Sequence, residues 1–304
     1  MSILVVGSVA FDRITTPFGT AERCLGGSAT YFAVAASFFA PVNLVGVVGD
    51  DFTEEDAAIF KGRNINLAGL QRVKGAKTFF WAGEYGFDLN VAKTRETQLN
   101  VFADFKPKLD DVQSRSDVIF LANIDPDLQM DVLHQCRNPR VVALDTMNYW
   151  ISAKKEGLTR AFRSVDLIVV NEAEVRQYTQ EANLVKGCRQ ILALGAKTLV
   201  IKRGEYGVLM ITSDAVFAVP AYPLENVFDP TGAGDTFAGG LLGYLASCRD
   251  VNDRELRRAI IFGSVLASFT VEKFSLDRIR EITVSDIQER YRSFRALTHF
   301  EDFE

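Results

Sequence analysis

Five short apolar runs set the frame of this 304-residue chain: ILVV before Gly7-Ser8, VIFLA before Asn123, VVAL before Asp145, LIVV before Asn171 and LVI before Lys202-Arg203. Each is rich in branched side chains and ends in polar residues or glycine, and helix-like stretches separate most of them. Continuous apolar strands alternating with helices imply a mostly parallel sheet covered on both faces, an α/β fold. The carboxyl ends of parallel strands share one edge, and ligands bind there. Taken singly, an Asn or Asp after a strand caps the next helix. As a set, these polar ends mark a ligand edge.

Two segments break the rhythm. Residues of about 13–27 (RITTPFGTAERCLGG) and 77–105 (KTFFWAGEYGFDLNVAKTRETQLNVFADF) alternate polar and apolar side chains around turn formers. They read as a small β lid over the ligand edge, inserted in a single domain spanning residues 1–304. The apolar stretch from Tyr31 to Asp50 is broken by Pro41 and Asn43. It reads as a buried helix from about Ser28 to Phe39 and a strand from Val42 to Val48, not as a membrane span. After Asp253 the pattern is helical.

The composition narrows the function classes. A net charge of -5 gives no electrostatic reason for a nucleic-acid or membrane partner. Cys24, Cys136, Cys188 and Cys248 form no CxxC pair, and the opening MSILVVGSVAFD has no secretory pattern, so a cytoplasmic location is expected. His134 and His299 are the only histidines, which disfavours Ser-His-Asp and Cys-His mechanisms.

The chemistry concentrates in DPTGAGDTFAGGLLGYLA, Asp229 to Ala246. Each glycine inside a helix costs about 1 kcal/mol relative to alanine, so bare backbone must be needed there. Gly232, Ala233 and Gly234 precede a helix whose first amides lack internal partners and whose dipole favours an anion. A phosphate can reach such amides directly. Asp235 in the first turn would sit against that phosphate, a placement that suits a base accepting a proton from an attacking hydroxyl. The amides would stabilise the transferring group as an oxyanion hole does. Gly239, Gly240 and Gly243 lie further on, and the first and last of these share a face, which points to close helix packing. Walker A is excluded because no lysine follows these glycines, and the dinucleotide fingerprint because Phe237 stands at its third glycine.

DPTGAGD resembles the C-terminal signature of the ribokinase-like (PfkB) carbohydrate kinases. GSVAFD, GGSATY, NEAE and KRGEYG resemble further motifs in that family's order. The resemblance implies ATP and magnesium as cofactors and transfer of the γ-phosphoryl to a hydroxymethyl group of a sugar or nucleoside. It implies that Asp235 is the base and that residues 232–234 form the anion hole. Substrate would lie on Asp12, Gly26, Gly27, Ser28, Tyr31 and Asn123. Asn171, Glu174, Lys202, Gly204, Gly207 and Thr231 would serve ATP, with magnesium reached from Glu174 through water. Asp229 and Thr231 match a monovalent-cation site, but the loop EKFSLD lacks the usual glycine, which leaves potassium dependence open. Ala10 and Tyr31 replace asparagines usual in ribokinases proper. With NIDP and GSVLASFTVE, these departures resemble bacterial adenosine-kinase-type members. Phe11, Tyr31, Phe79, Phe80 and Trp81 tilt the acceptor toward a nucleoside; a free-sugar kinase and a catalytically silent metabolite-binding protein are the alternatives. An exposed lid sheet in this family can also pair two subunits, which leaves room for a homodimer through the lid.

Overall fold

The computed structural model describes residues 1–299 and Glu301. Its strands are β1 (Ile3–Val6), β2 (Ala10–Thr16), β3 (Gly19–Gly26), β4 (Val42–Gly49), β5 (Ile65–Val73), β6 (Phe79–Tyr85), β7 (Ala92–Gln98), β8 (Val118–Leu121), β9 (Val141–Asp145), β10 (Leu167–Asn171), β11 (Thr198–Lys202), β12 (Val208–Ile211) and β13 (Val216–Val219). The helices are α1 (Ser28–Ala36), α2 (Pro126–Gln135), α3 (Asn148–Ala153), α4 (Lys155–Arg163), α5 (Glu172–Thr179), α6 (Leu184–Leu192), α7 (Ala233–Ser247), α8 (Asp253–Thr270), α9 (Asp277–Glu281) and α10 (Val284–Thr298).

The main sheet has nine strands in the order β13-β12-β11-β10-β9-β8-β1-β4-β5. From β11 to β5 every pair is parallel; β12 and β13 add an antiparallel edge. All five apolar runs are strands of this sheet. Side chains alternate across it, so Ile3 and Val5 join one core with α1, α7 and α8, while Leu4 and Val6 join another on the opposite face. A sheet buried on both faces explains why these runs are uniformly apolar. Strand β5 was not among them because as an edge strand it alternates burial and exposure.

The chain crosses the sheet at β1, whose neighbours are β4 on one side and β8 on the other. This is the kind of switch point where open α/β sheets bind ligands. Over that edge stands a second sheet, β3-β2-β6-β7. The lid begins at Ala10, three residues before the sequence boundary at 13, because β2 pairs with β3 and β6 from Ala10 onward.

Helix α7 shows what its inner glycines do. A Cβ at Gly239 would lie 2.5 Å from the carbonyl oxygen of Phe32, and one at Gly243 2.9 Å from the Cα of Ala36, both on α1. A Cβ at Gly240 would lie 2.9 Å from the Phe262 carbonyl oxygen on α8. Two neighbouring helices thus press against α7 at backbone distance.

Candidate active site

The strand ends converge. Asn171 and Lys202 are paired in register at the ends of β10 and β11, and Asp145 ends β9 two residues further back, opposite Val169. Facing them is the N-terminus of α7. Its cap, Gly232, has φ +74°, a conformation that favours glycine, and offers no side chain to the first amides. Among the described residues the amides of Gly232, Gly234 and Asp235 find no acceptor. The loop is built around bare backbone: a Cβ at Gly232 would overlap the Tyr31 ring, and one at Gly234 would lie 2.9 Å from Lys202 Nζ.

Four ionisable groups cluster beside those amides. Lys202 Nζ donates to Asp145 Oδ2 at 2.8 Å. Burial pushes the Asp235 carboxyl up to about 7, with help from Asp145 and against Lys202. Burial raises Glu174 to about 7 as well; Asp145 and Asp235 add to this and Lys202 opposes it. For Lys202, burial works against the charge, but Asp145, Glu174 and Asp235 outweigh it and hold the ammonium protonated.

Asp12 projects from lid strand β2. It is 4% exposed, and among the described residues its carboxylate accepts no hydrogen bond. Burial, then the charges of Asp229 and Asp235, push it up to about 8. A buried carboxylate without donors is costly unless a ligand supplies them. Gly26 makes room for it, since a Cβ there would overlap Asp12 Oδ2. Gly27, at φ +93°, brings backbone within reach of the Ser8 carbonyl.

Other expected residues are engaged by the protein. Ser28 and Ser8 exchange hydrogen bonds: Ser8 N donates to Ser28 Oγ at 3.2 Å and Ser28 N to Ser8 Oγ at 3.0 Å. Asn123 Oδ1 accepts from Trp150 Nε1 at 3.1 Å. Asn171 and Glu174 form a capping box for α5: Glu174 N donates to Asn171 Oδ1 at 2.8 Å, and Asn171 N to Glu174 Oε2 at 2.7 Å. Asp229 is fully buried and accepts from Thr231 N and Ser275 N, both at 2.8 Å. Gly204 (φ +55°) and Gly207 (φ +89°) shape the turn after β11. The lid tip reaches that turn, where Glu205 N donates to Asn90 Oδ1 at 3.3 Å.

Neither Phe11 nor Tyr31 presents an open ring. Tyr31 is 1% exposed beneath Gly232, with a hydroxyl that finds no partner among the described residues. Phe11 is buried under the Arg23 guanidinium, 3.6 Å from its centroid. Phe79 stacks on Phe102, and Phe80 lies near the Arg13 guanidinium. Trp81 is half-buried and in register with Asp12, so the two share a face of the lid. Sequence reasoning put Asp145 on the ligand edge, at the end of one of the five apolar runs, but gave it no role in the site. It also missed Tyr85, which nothing local distinguishes.

The pattern of pfkB family carbohydrate kinases matches residues 2–281. The chain belongs to that family. As a pfkB family member it is an ATP-dependent phosphotransferase acting on an alcohol group of a sugar or nucleoside. It is 31% identical to cytidine kinase of Thermococcus kodakarensis over 251 residues, 80% of this chain and 88% of that one. A match to ribokinase of Staphylococcus aureus, 33% identical, covers 36% of each chain. Among solved structures, nucleoside kinase of Methanocaldococcus jannaschii superposes with a TM-score of 0.79 at 21% identity over 96% of this chain and 98% of that one. Adenosine kinase of Sinorhizobium meliloti gives 0.78 at 19% identity over 96% and 99%. At such identities these structures establish the shared fold. No helix among the described residues is long and apolar enough to cross a membrane.

Magnesium fits the donor set as a guest of the nucleotide. Among the described residues no group of three or more His, Cys, Asp or Glu could hold a metal by itself. The capping box uses Glu174 Oε2 and leaves Oε1 available. A magnesium ion keeping its waters and held mainly by phosphates needs no more than that from the protein.

Proposed function

We propose that this pfkB family kinase phosphorylates the primary hydroxyl of an uncharged ribose-type acceptor, with a nucleoside favoured over a free sugar. The observation that carries the reading is Asp235, a half-buried carboxyl in the first turn of α7, where the amides of Gly232, Gly234 and Asp235 itself lack acceptors among the described residues. Asp235 accepts the acceptor's hydroxyl proton, and the freed oxygen bonds to the γ-phosphorus. The bond from that phosphorus to the bridging oxygen breaks, and ADP leaves with the electron pair. The free Gly232 and Gly234 amides take up the charge of the transferring group, while Ala233 N, which donates to the Pro230 carbonyl at 3.2 Å, holds the loop in shape. Glu174 would hold a magnesium ion through water, and the ion would supply neutralisation of the phosphate charge.

Asp12 binds two acceptor hydroxyls, since its carboxylate lacks donors of its own; the Gly26-Gly27 backbone, with Ser28 and Tyr31 behind it, walls the pocket, and Asn123 borders it. Asn171, Lys202, Gly204, Gly207 and Thr231 form the nucleotide side. The exposed arginines of the lid region are paired, Arg13 with Glu96, Arg95 with Glu84 and Arg23 with Asp56, which speaks against a phosphorylated sugar. Trp81, sharing a lid face with Asp12, is the ring best placed to meet a nucleobase. Asp229 anchors the loop through both its oxygens; a monovalent cation would have to share them, and turnover compared in potassium and sodium tests that. A dimer through the lid would pair one of its two edge strands, β3 or β7, and exposed Lys93 and Arg95 oppose pairing on β7. Four free cysteines suit a cytoplasmic protein.

ADP release with MgATP and a panel of cytidine, adenosine, inosine, ribose, fructose and 2-keto-3-deoxygluconate tests the reading. Turnover on a nucleoside that Asp235→Asn abolishes supports it. Turnover on a free sugar alone moves the acceptor class. ATP binding without turnover on any acceptor favours a silent metabolite-binding protein.

A further inference from the structure

Lys202 has more hydrogen-bonding capacity than the protein uses. Its ammonium carries three donors, and among the described residues Asp145 is the one acceptor it meets, at 2.8 Å. The side chain is 20% exposed, so the unused donors have little access to bulk water. Nζ lies beside the Cα of Gly234, whose amide also lacks an acceptor. Ammonium and amides therefore border the same small volume, and a charged donor set of this kind calls for an anion.

Asp145 is a fixed anchor for that ammonium. It is 3% exposed, and its Oδ1 accepts from Thr146 N at 2.6 Å. Its carbonyl accepts from Gln129 Nε2 at 3.0 Å, and the same Gln129 nitrogen also donates to the carbonyls of Leu121 and Ala122 at 3.2 and 2.9 Å. Backbone of β9 is thus tied to the end of β8, and the flexible lysine stem reaches across β10 from β11.

We propose that Lys202 distinguishes a nucleoside triphosphate from a diphosphate, by giving its two unused N–H donors to the terminal phosphoryl group seated on the free Gly232 and Gly234 amides, and that Asp145 is the positioning residue that aims it. This rests on the phosphoryl-transfer reading. A purely structural ion pair spanning β10 would stabilise the sheet edge and leave the preference between nucleotides unchanged.

Calorimetric titration with MgATP and MgADP separates the two. Lys202→Met is expected to weaken ATP binding at least about 10-fold, the loss for hydrogen bonds to a charged partner, with ADP changed less than about threefold. Asp145→Asn is expected to lower the ATP-to-ADP preference in the same direction by a smaller factor, and Lys202→Arg to retain part of it. Should Lys202→Met fail to fold, the Arg and Asp145→Asn preferences carry the decision. Equal weakening of both nucleotides, or lower thermal stability with an unchanged preference, overturns the proposal. Wild-type protein that binds neither nucleotide removes the phosphoryl-transfer reading and this inference together. Wild-type binding with an unchanged preference in the variants removes the inference alone.

Discussion

Thr231 Oγ1 donates a hydrogen bond to the hydroxyl of Tyr85 at 3.2 Å, across 146 residues of sequence. Tyr85 ends lid strand β6, and Thr231 belongs to the loop that opens α7. The lid thereby rests directly on the segment that we assign to phosphoryl transfer.

Removing that contact tests whether the lid holds the acceptor. Tyr85→Phe keeps the ring and loses one hydrogen bond, worth about 0.5–1.5 kcal/mol. Acceptor KM is expected to rise by about 2–12-fold, with MgATP affinity unchanged by calorimetry. An unchanged acceptor KM would show that the lid closes without this bond.

Asp235→Asn is expected to lower kcat by about 10²–10⁴-fold, the span for a lost general base. The same variant carries a stability signature. The Asp235 carboxyl is raised from 3.8 to about 7, so the folded state holds its proton more tightly than the unfolded chain. Stability from that proton is present at low pH and is lost as pH rises through about 7. Asparagine escapes this loss. The variant should therefore melt higher than wild type at alkaline pH, and the difference should shrink as pH falls toward 4. Melting curves that stay parallel across that range would refute the assignment of a proton-holding carboxyl at Asp235.

The free enzyme's pH profile follows from the same groups. Asp235 at about 7 and Asp12 at about 8 both act as carboxylates in the proposed reaction. A plot of kcat/KM against pH should therefore climb through neutrality and level off on the alkaline side. A profile already flat at pH 5 would contradict both roles.

Gly239→Ala is expected to lower thermal stability, because the added Cβ would press on the Phe32 carbonyl oxygen 2.5 Å away. Overpacking of this kind costs about 1–3 kcal/mol, more than the roughly 1 kcal/mol that alanine gains in a helix. Gly86→Ala is the control, since nothing lies within 4 Å of its Cβ position. Equal melting temperatures for the two variants would disprove close packing of α1 on α7.

Much of the architecture was legible because burial on both faces leaves a plain signature. The five apolar runs are strands, and the polar ends Asp145, Asn171 and Lys202 lie at one edge. Strands β5 and β13 were harder to see, since edge strands mix exposed residues into the run. The site was legible where backbone chemistry dictates residue type, as at Gly232 and Gly234. It was not legible where a side chain divides its duties. Asn171 and Glu174 cap a helix while facing the site, and Ser28 is spent on Ser8. Phe11 and Tyr31 are aromatic positions that packing has claimed. Tyr85 gave no local signal because its contact exists only once the lid has docked.

Asp12 lies on the bare Cα of Gly26, in a space that any side chain at position 26 would occupy. The two positions therefore cannot drift separately. A substitution at Gly26 evicts the carboxylate, whereas a loss of Asp12 frees position 26 to vary. In descendants of this chain, a side chain at 26 would be the mark of a lineage that has already abandoned its acceptor.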